Sequence, residues 1–188
     1  MEHPSSDVDL LLEELYAFGR SEGGMWNVGR EGGALLAWFI RLLDAKRVLE
    51  IGTSNGVSTI WMARALEETG GELVTLEVDP RKVAMATDNL KRAGLFDTVT
   101  IVEGPAIRSL EAIGGTFDLV FIDADKPQYP DYLEGVRDKV RPGSIIVADN
   151  VSETNETSLP YRTALDSDPG FDSVGMSIAG GFWVTRVR

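Results

Sequence analysis

The chain reads as one α/β domain on a doubly wound, mostly parallel sheet, and three observations point there. From Arg47 to Ala148, short apolar runs alternate with amphipathic segments. Strands that alternate with helices are joined by right-handed crossovers and lie parallel. The tail breaks that rhythm, because the runs 172–178 and 182–187 are separated only by Ala179-Gly180-Gly181. That link is too short for a crossover, so the two runs form an antiparallel hairpin at the sheet edge. Finally, 188 residues of which 43% are hydrophobic suit a single domain with a sizeable core and argue against disorder. The expectation is a seven-stranded Rossmann-like sheet: a helical cap over residues 1–45, a core over 46–150 carrying the sites, and a loop, short helix and hairpin over 151–188.

Each element has a local reason. Asp7 to Phe18 carries apolar residues at helical spacing, with Gly19 as its stop, and Gly32 to Leu43 is a second, strongly apolar helix. Arg47 to Ile51 is a strand ending in Gly52-Thr-Ser-Asn-Gly56, followed by a helix from Val57 to Glu68. Leu73 to Val78 is the second strand, and Pro80 to Ala93 a helix with proline in its first turn and Gly94 just past its end. Strands at Val99–Val102, Leu119–Ile122 and Ile145–Ala148 alternate with helices at 107–113 and 129–140, and a short helix lies near Tyr161 to Leu165.

Composition removes several chemistries. The net charge of −12 argues against broad attraction to nucleic acid or anionic membranes. There is no cysteine, and the single histidine is His3 in a polar N-terminal stretch. Disulfides, thiolate zinc sites, Cys nucleophiles and His-based triads are excluded. The acidic stretch from Met1 to Leu15 is the reverse of a signal-peptide start. The most apolar run, Gly33 to Leu43, is interrupted by Arg41 and shorter than the ~20 residues of a membrane span. The expectation is a cytoplasmic protein with no membrane segment.

Ligands of open α/β sheets bind at the carboxyl ends of the strands. Gly52 and Gly56 allow a close backbone approach there, ahead of a helix N-terminus with free N–H groups; a purely structural turn is the competing reading. Glu77 stands 25 residues after Gly52, where a carboxylate grips a ribose diol, while Asp79 suits a helix cap before Pro80. Strand four ends in Asp123-Ala-Asp-Lys126 and strand five in Asp149-Asn150. If these strands are neighbours, Asp123, Asp149 and Asn150 converge as an oxygen-only set suited to Mg²⁺ or a similar divalent cation. Lys126 is either a solvated surface lysine or a general base, since a nearby dication disfavours its ammonium form.

Glu50 to Gly56, Leu76 to Asp79, Phe121 to Lys126 and Val147 to Val151 together resemble the class I S-adenosylmethionine methyltransferases. Within them the likeness is to the metal-dependent O-methyltransferases of catechol and caffeoyl-coenzyme A type. Asn27-Val28-Gly29 is similar to the segment that precedes the second cap helix in the catechol enzymes. The resemblance implies that Val28 folds over the methionine end of S-adenosylmethionine, with Glu50, Gly52, Ser54, Gly56 and Ser58 also around it. It assigns Glu77 and Val78 to the ribose, Pro105 and Ala106 to the adenine, and Asp123 to both cosubstrate and metal. Asp123, Asp149 and Asn150 become the metal ligands, with Lys126 the base and Asp123 its catalytic companion. Three departures stand out. Trp26 replaces the methionine beside the reacting methyl, with Met25 one residue earlier. Gly104-Pro105-Ala106 replaces the usual Gly-Asp-Ala. The acceptor loop Val151 to Thr157 is short, which argues against a coenzyme A thioester pocket.

The leading expectation is therefore methyl transfer from S-adenosylmethionine to a hydroxyl of a small, catechol-like acceptor, by a homodimer. The alternatives are a tRNA hydroxyuridine O-methyltransferase, a nicotinamide (NAD) dehydrogenase and a non-catalytic cofactor-binding module. Gly52 to Gly56 lacks the third glycine of a dinucleotide fingerprint. Trp26, Trp38, Tyr129 and Trp183 are open to two roles, walls of a flat substrate or packing.

Overall fold

The computed structural model describes residues 7–21, 25, 27–178 and 180–188. Two cap helices, α1 (Asp7–Ser21) and α2 (Arg30–Leu43), precede β1 (Arg47–Ile51), α3 (Val57–Thr69), β2 (Glu72–Glu77) and α4 (Pro80–Ala93). Then come β3 (Val99–Glu103), α5 (Ala106–Ala112), β4 (Leu119–Ile122), α6 (Tyr129–Val136), β5 (Ile145–Asp149), α7 (Leu159–Asp166), β6 (Phe171–Met176) and β7 (Phe182–Val187). The sheet order is β3-β2-β1-β4-β5-β7-β6. Neighbours from β3 to β5 pair in parallel, whereas β7 runs antiparallel to both β5 and β6. The expected seven-stranded architecture is the one observed.

Strand alternation builds two cores, one on each face. Val48, Leu119, Phe121 and Val147 face α1, α2, α3 and α4, and Leu49, Ile51, Val120 and Ile122 face α5, α6 and α7. Full burial of Leu36 and Ile40 on α2 is worth roughly 1.5–3 kcal/mol each. Gly33 lets α2 lie flush on α3, because a Cβ there would overlap the Trp61 indole. Trp61 Nε1 in turn donates to the Tyr16 hydroxyl at 3.0 Å, joining α1 to the same layer. Asp79 caps α4 by accepting from the Arg81 N–H at 2.9 Å, and Gly94 ends the helix in the left-handed region.

Two boundaries lie more than two residues from expectation. Gly19 does not stop α1, which continues to Ser21. Its missing side chain makes room instead for Asn27, whose Nδ2 would lie 2.6 Å from a Cβ at that position. The helix from Tyr129 ends at Val136 rather than 140 and tightens into a 3-10 turn over Arg137–Lys139. Among the described residues, no helix is long and apolar enough to cross a membrane.

Candidate active site

The strand order reverses at β1, which lies between β2 and β4, and such a switch point opens a crevice beyond the strand ends. Gly52 adopts φ 101° and donates to the Leu76 carbonyl at 3.0 Å. A Cβ at Gly52 would overlap the Asp123 carbonyl oxygen, so only glycine fits where the two half-sites touch. Ser54 is also left-handed (φ 52°), and its N–H donates to Glu77 Oε2 at 2.9 Å. Glu77 Oε1 accepts the Val78 and Asp79 N–H groups, both at 2.9 Å, so three backbone donors fix this carboxylate. It faces a cleft of about 720 Å³ that also takes in Lys82, Lys126, Gln128 and Tyr132. Ser54 Oγ reaches Met25 Sδ at 3.8 Å, linking the glycine turn to the cap.

Of the residues expected to hold the cosubstrate, Gly52, Ser54, Glu77, Val78, Pro105, Ala106 and Asp123 line this cleft. Glu50 does not. It is fully buried beneath the glycine turn. Ser58 Oγ donates to its Oε1 at 2.5 Å, and the Thr59 and Thr75 hydroxyls donate to its Oε2 at 2.6 and 2.7 Å. Because the Thr75 proton points at Glu50, Thr53 Oγ1 is the donor in the 2.6 Å Thr53–Thr75 bond. Glu50 thus ties both flanks of the turn together from below, and Ser58 spends its hydroxyl on that task. Burial pushes the Glu50 carboxyl up to about 7; the three hydroxyls oppose the rise and the charge of Asp123 adds to it. Gly56 serves as the left-handed cap of α3, and Val28 is buried in the cap core, so neither side of this pair lines the cleft. Trp26 lies outside the described residues.

On the other side of the switch point, Ile122 and Ala148 are register partners, which brings Asp123 and Asp149 side by side. Asp149 is 4% exposed, and its Oδ1 accepts the Asn150 N–H at 2.8 Å. Asn150 holds φ 56°, a left-handed conformation that asparagine tolerates. Lys126 Nζ donates to Asp123 Oδ1 at 3.0 Å and lies 5.4 Å from the Tyr129 ring centroid. Burial raises the pKa of both aspartates. The charge of Asp123 raises Asp149 further, and Lys126 opposes the rise at each. Beneath them Tyr129 donates to the carbonyls of Ile122 (3.2 Å) and Asp149 (3.1 Å), so it clamps the strand ends rather than walling a substrate. Trp183 is likewise buried in the core, and Trp38 is exposed on α2.

A second cavity of about 330 Å³ is bounded by Asp123, Asp149 and Asn150 on the sheet side and by Tyr16, Arg20 and Asn27 on the cap side. Asp123 and Asn150 therefore face both cavities. The donor set fits a hard divalent cation: a buried carboxylate (Asp149), a partly buried one (Asp123) that repels it, one amide and no sulfur or imidazole. No group of three or more His, Cys, Asp or Glu residues suited to a metal occurs among the described residues. Two carboxylates and an amide leave further coordination positions for other oxygens.

A profile of the O-methyltransferase family matches residues 1–157. The chain belongs to the O-methyltransferase family. A catechol O-methyltransferase of Niastella koreensis is 47% identical over 137 residues, covering 70% of this chain and 62% of that protein, under two thirds of its length. A catechol O-methyltransferase of Mycobacterium tuberculosis is 38% identical over 178 residues, covering 86% of this chain and 80% of that one. Among solved structures, the O-methyltransferase from Bacillus cereus in complex with SAH (S-adenosylhomocysteine) superposes with a TM-score of 0.85 at 29% identity. That match covers 96% of this chain and 91% of the Bacillus chain.

The sequence reading passed over Lys82, Gln128, Tyr132, Tyr16 and Arg20 as lining residues. For Lys82 a signal existed, since the first turn of a helix leaving a strand's carboxyl end faces the crevice. Gln128, the N-cap residue of α6, and Tyr132 are spaced i, i+4, which brings them to one side of the helix start. Tyr16 and Arg20 reach the site only through the packing of α1, which local sequence does not encode.

Proposed function

We propose that this O-methyltransferase moves the methyl group of S-adenosylmethionine to one hydroxyl of a small, catechol-like diol, assisted by Mg²⁺ or a similar divalent cation. One observation carries the reading: two cavities, one of cosubstrate size and one of single-ring size, meet at Asp123 and Asn150. In the larger, the Glu77 carboxylate is aimed by three backbone N–H groups and keeps one lone pair, on Oε2, for a ribose hydroxyl. Pro105 and Ala106 form the wall for the adenine. Asp123, Asp149 and Asn150 would hold the cation, which when bound favours the ionised form of a nearby hydroxyl and fixes its position.

Lys126 is the base of this reading. Its Nζ donates to Asp123 Oδ1 at 3.0 Å and to the Ala124 carbonyl at 3.3 Å, beside the carboxylate that both cavities share. Acting as the base, Lys126 takes the acceptor's hydroxyl proton on Nζ. The oxygen then forms a bond to the methyl carbon as the carbon–sulfur bond breaks, and the electron pair leaves on sulfur. Fixing both reactants along one line removes the entropic cost of their encounter. The deciding experiment is methyl transfer measured by mass spectrometry on catechols and on bulk tRNA, with Mg²⁺ and with chelator. Methylated catechol only in the presence of metal is expected. Activity on tRNA alone, or full activity in chelator with metal-free protein, would overturn the reading.

The same reading includes a homodimer. Trp38 and Leu42, 53% and 61% exposed one turn apart on α2, leave apolar area for a second copy to cover. Light scattering at micromolar concentration should report twice the chain mass.

A further inference from the structure

We propose that Arg20 selects the acceptor, and that the preferred substrate is a small catechol bearing a carboxylate; this rests on the methyl-transfer reading above. The smaller cavity has two chemically opposite sides. Its sheet side ends in the oxygens of Asp123, Asp149 and Asn150. Its cap side includes Tyr16, Arg20 and Asn27, whose side chains carry a hydroxyl, a guanidinium and an amide as hydrogen-bond donors. Among the described residues, Arg20 is the only cationic side chain that lines this cavity. It is exposed, in the last turn of α1, and has no ion pair or hydrogen bond among the described residues. Its neighbours in the cap layer behave otherwise: Arg30 pairs with Glu13 and Arg64 with Asp9. In a chain of net charge −12, an arginine left without an acidic partner at the mouth of a binding cavity keeps its planar donor fork for a ligand.

The polarity then orients the ligand. The diol belongs at the aspartate pair, so the rest of the ring points toward the cap, where a carboxylate meets the guanidinium as a two-bond pair. A neutral catechol leaves the fork unused. The volume of about 330 Å³ lies at the small end of ligand cavities, which suits one ring with a short acidic arm and not a coenzyme A thioester.

The test compares initial rates of the full chain, with Mg²⁺ and S-adenosylmethionine, on catechol, 3,4-dihydroxybenzoate and 3-(3,4-dihydroxyphenyl)propanoate. The wild type should favour at least one of the acids over catechol by about five- to tenfold in kcat/KM, with the difference residing in KM, as for a partly solvated ion pair. Arg20→Gln should bring that ratio to about one, and Arg20→Lys should retain part of it as a point charge. Arg108→Gln, which removes an exposed arginine of α5 outside both cavities, should keep the wild-type ratio. Calorimetry with S-adenosylhomocysteine checks that each variant is folded and binds the cosubstrate product. A wild-type enzyme that methylates all three acceptors with equal KM, or an Arg20→Gln variant with an unchanged ratio, overturns this inference and leaves the methyl-transfer reading standing. Turnover of none of the three overturns both.

Discussion

Two buried acids within a few residues of the switch point meet opposite fates. Glu50, at the carboxyl end of β1, accepts from three hydroxyls and lines neither cavity. Asp149, at the end of β5, accepts one backbone N–H and faces a second carboxylate, with a single lysine shared nearby. Burial raises both pKa values, but only Asp149 keeps unfilled lone pairs that open into a cavity. A buried carboxylate is therefore not a functional site by itself. What separates structure from chemistry here is whether the protein has already satisfied the group.

Substitutions can break that comparison. Asp149→Ala should abolish turnover while S-adenosylhomocysteine affinity, read by calorimetry, is retained, because Asp149 does not line the larger cleft. Loss of both together would mean that the two half-sites are one unit. Lys126→Ala should lower kcat by about 10²–10⁴-fold, the usual worth of a positioned base. Raising the pH should restore part of that loss, whereas near-normal activity of Lys126→Arg would reduce the lysine to an electrostatic role. Glu77→Ala should weaken S-adenosylhomocysteine by about 1.5–3 kcal/mol, the value of hydrogen bonds to a charged group, with the aspartate side of the site left intact.

The smallest effect sharpens the contrast from the Glu50 side. Its folded pKa of about 7 exceeds the ordinary 4.5, so the native state holds the proton more tightly than the unfolded chain. Its contribution to stability is complete below about pH 4.5 and is lost as pH rises toward 7. Glu50→Gln cannot titrate. The stability gap between wild type and Glu50→Gln should therefore shift against the wild type by up to about 3 kcal/mol between pH 4 and 8, by thermal denaturation. A gap independent of pH would show that Glu50 stays ionised in the fold.

Most of the fold was legible because alternation of strand and helix needs only local pattern, and Glu77 was legible because a strand end faces the crevice whatever packs around it. Glu50 lies beneath the turn and not in the cleft, and a motif position says nothing about which face a side chain takes. Strand alternation did hold that answer: Glu50 shares its face with Val48, toward α3, and not with Ile51. The cap residues were illegible for a different reason. Tyr16 and Arg20 meet Asp149 only after about 130 residues of intervening chain have folded. Gly19 misled because a glycine used for close packing is written like one used as a stop.

The place of β7 has a consequence in time. Asp149 lies opposite Phe182, on a strand whose second neighbour comes from residues 182–187. As the chain leaves the ribosome, β1 to β5 can assemble first, with β5 as an open border. An open border invites pairing with another nascent chain. The strand that carries a candidate metal ligand is thus the last of the parallel set to gain its second neighbour, and a polypeptide that stops short of residue 182 would expose it to solvent and to other chains.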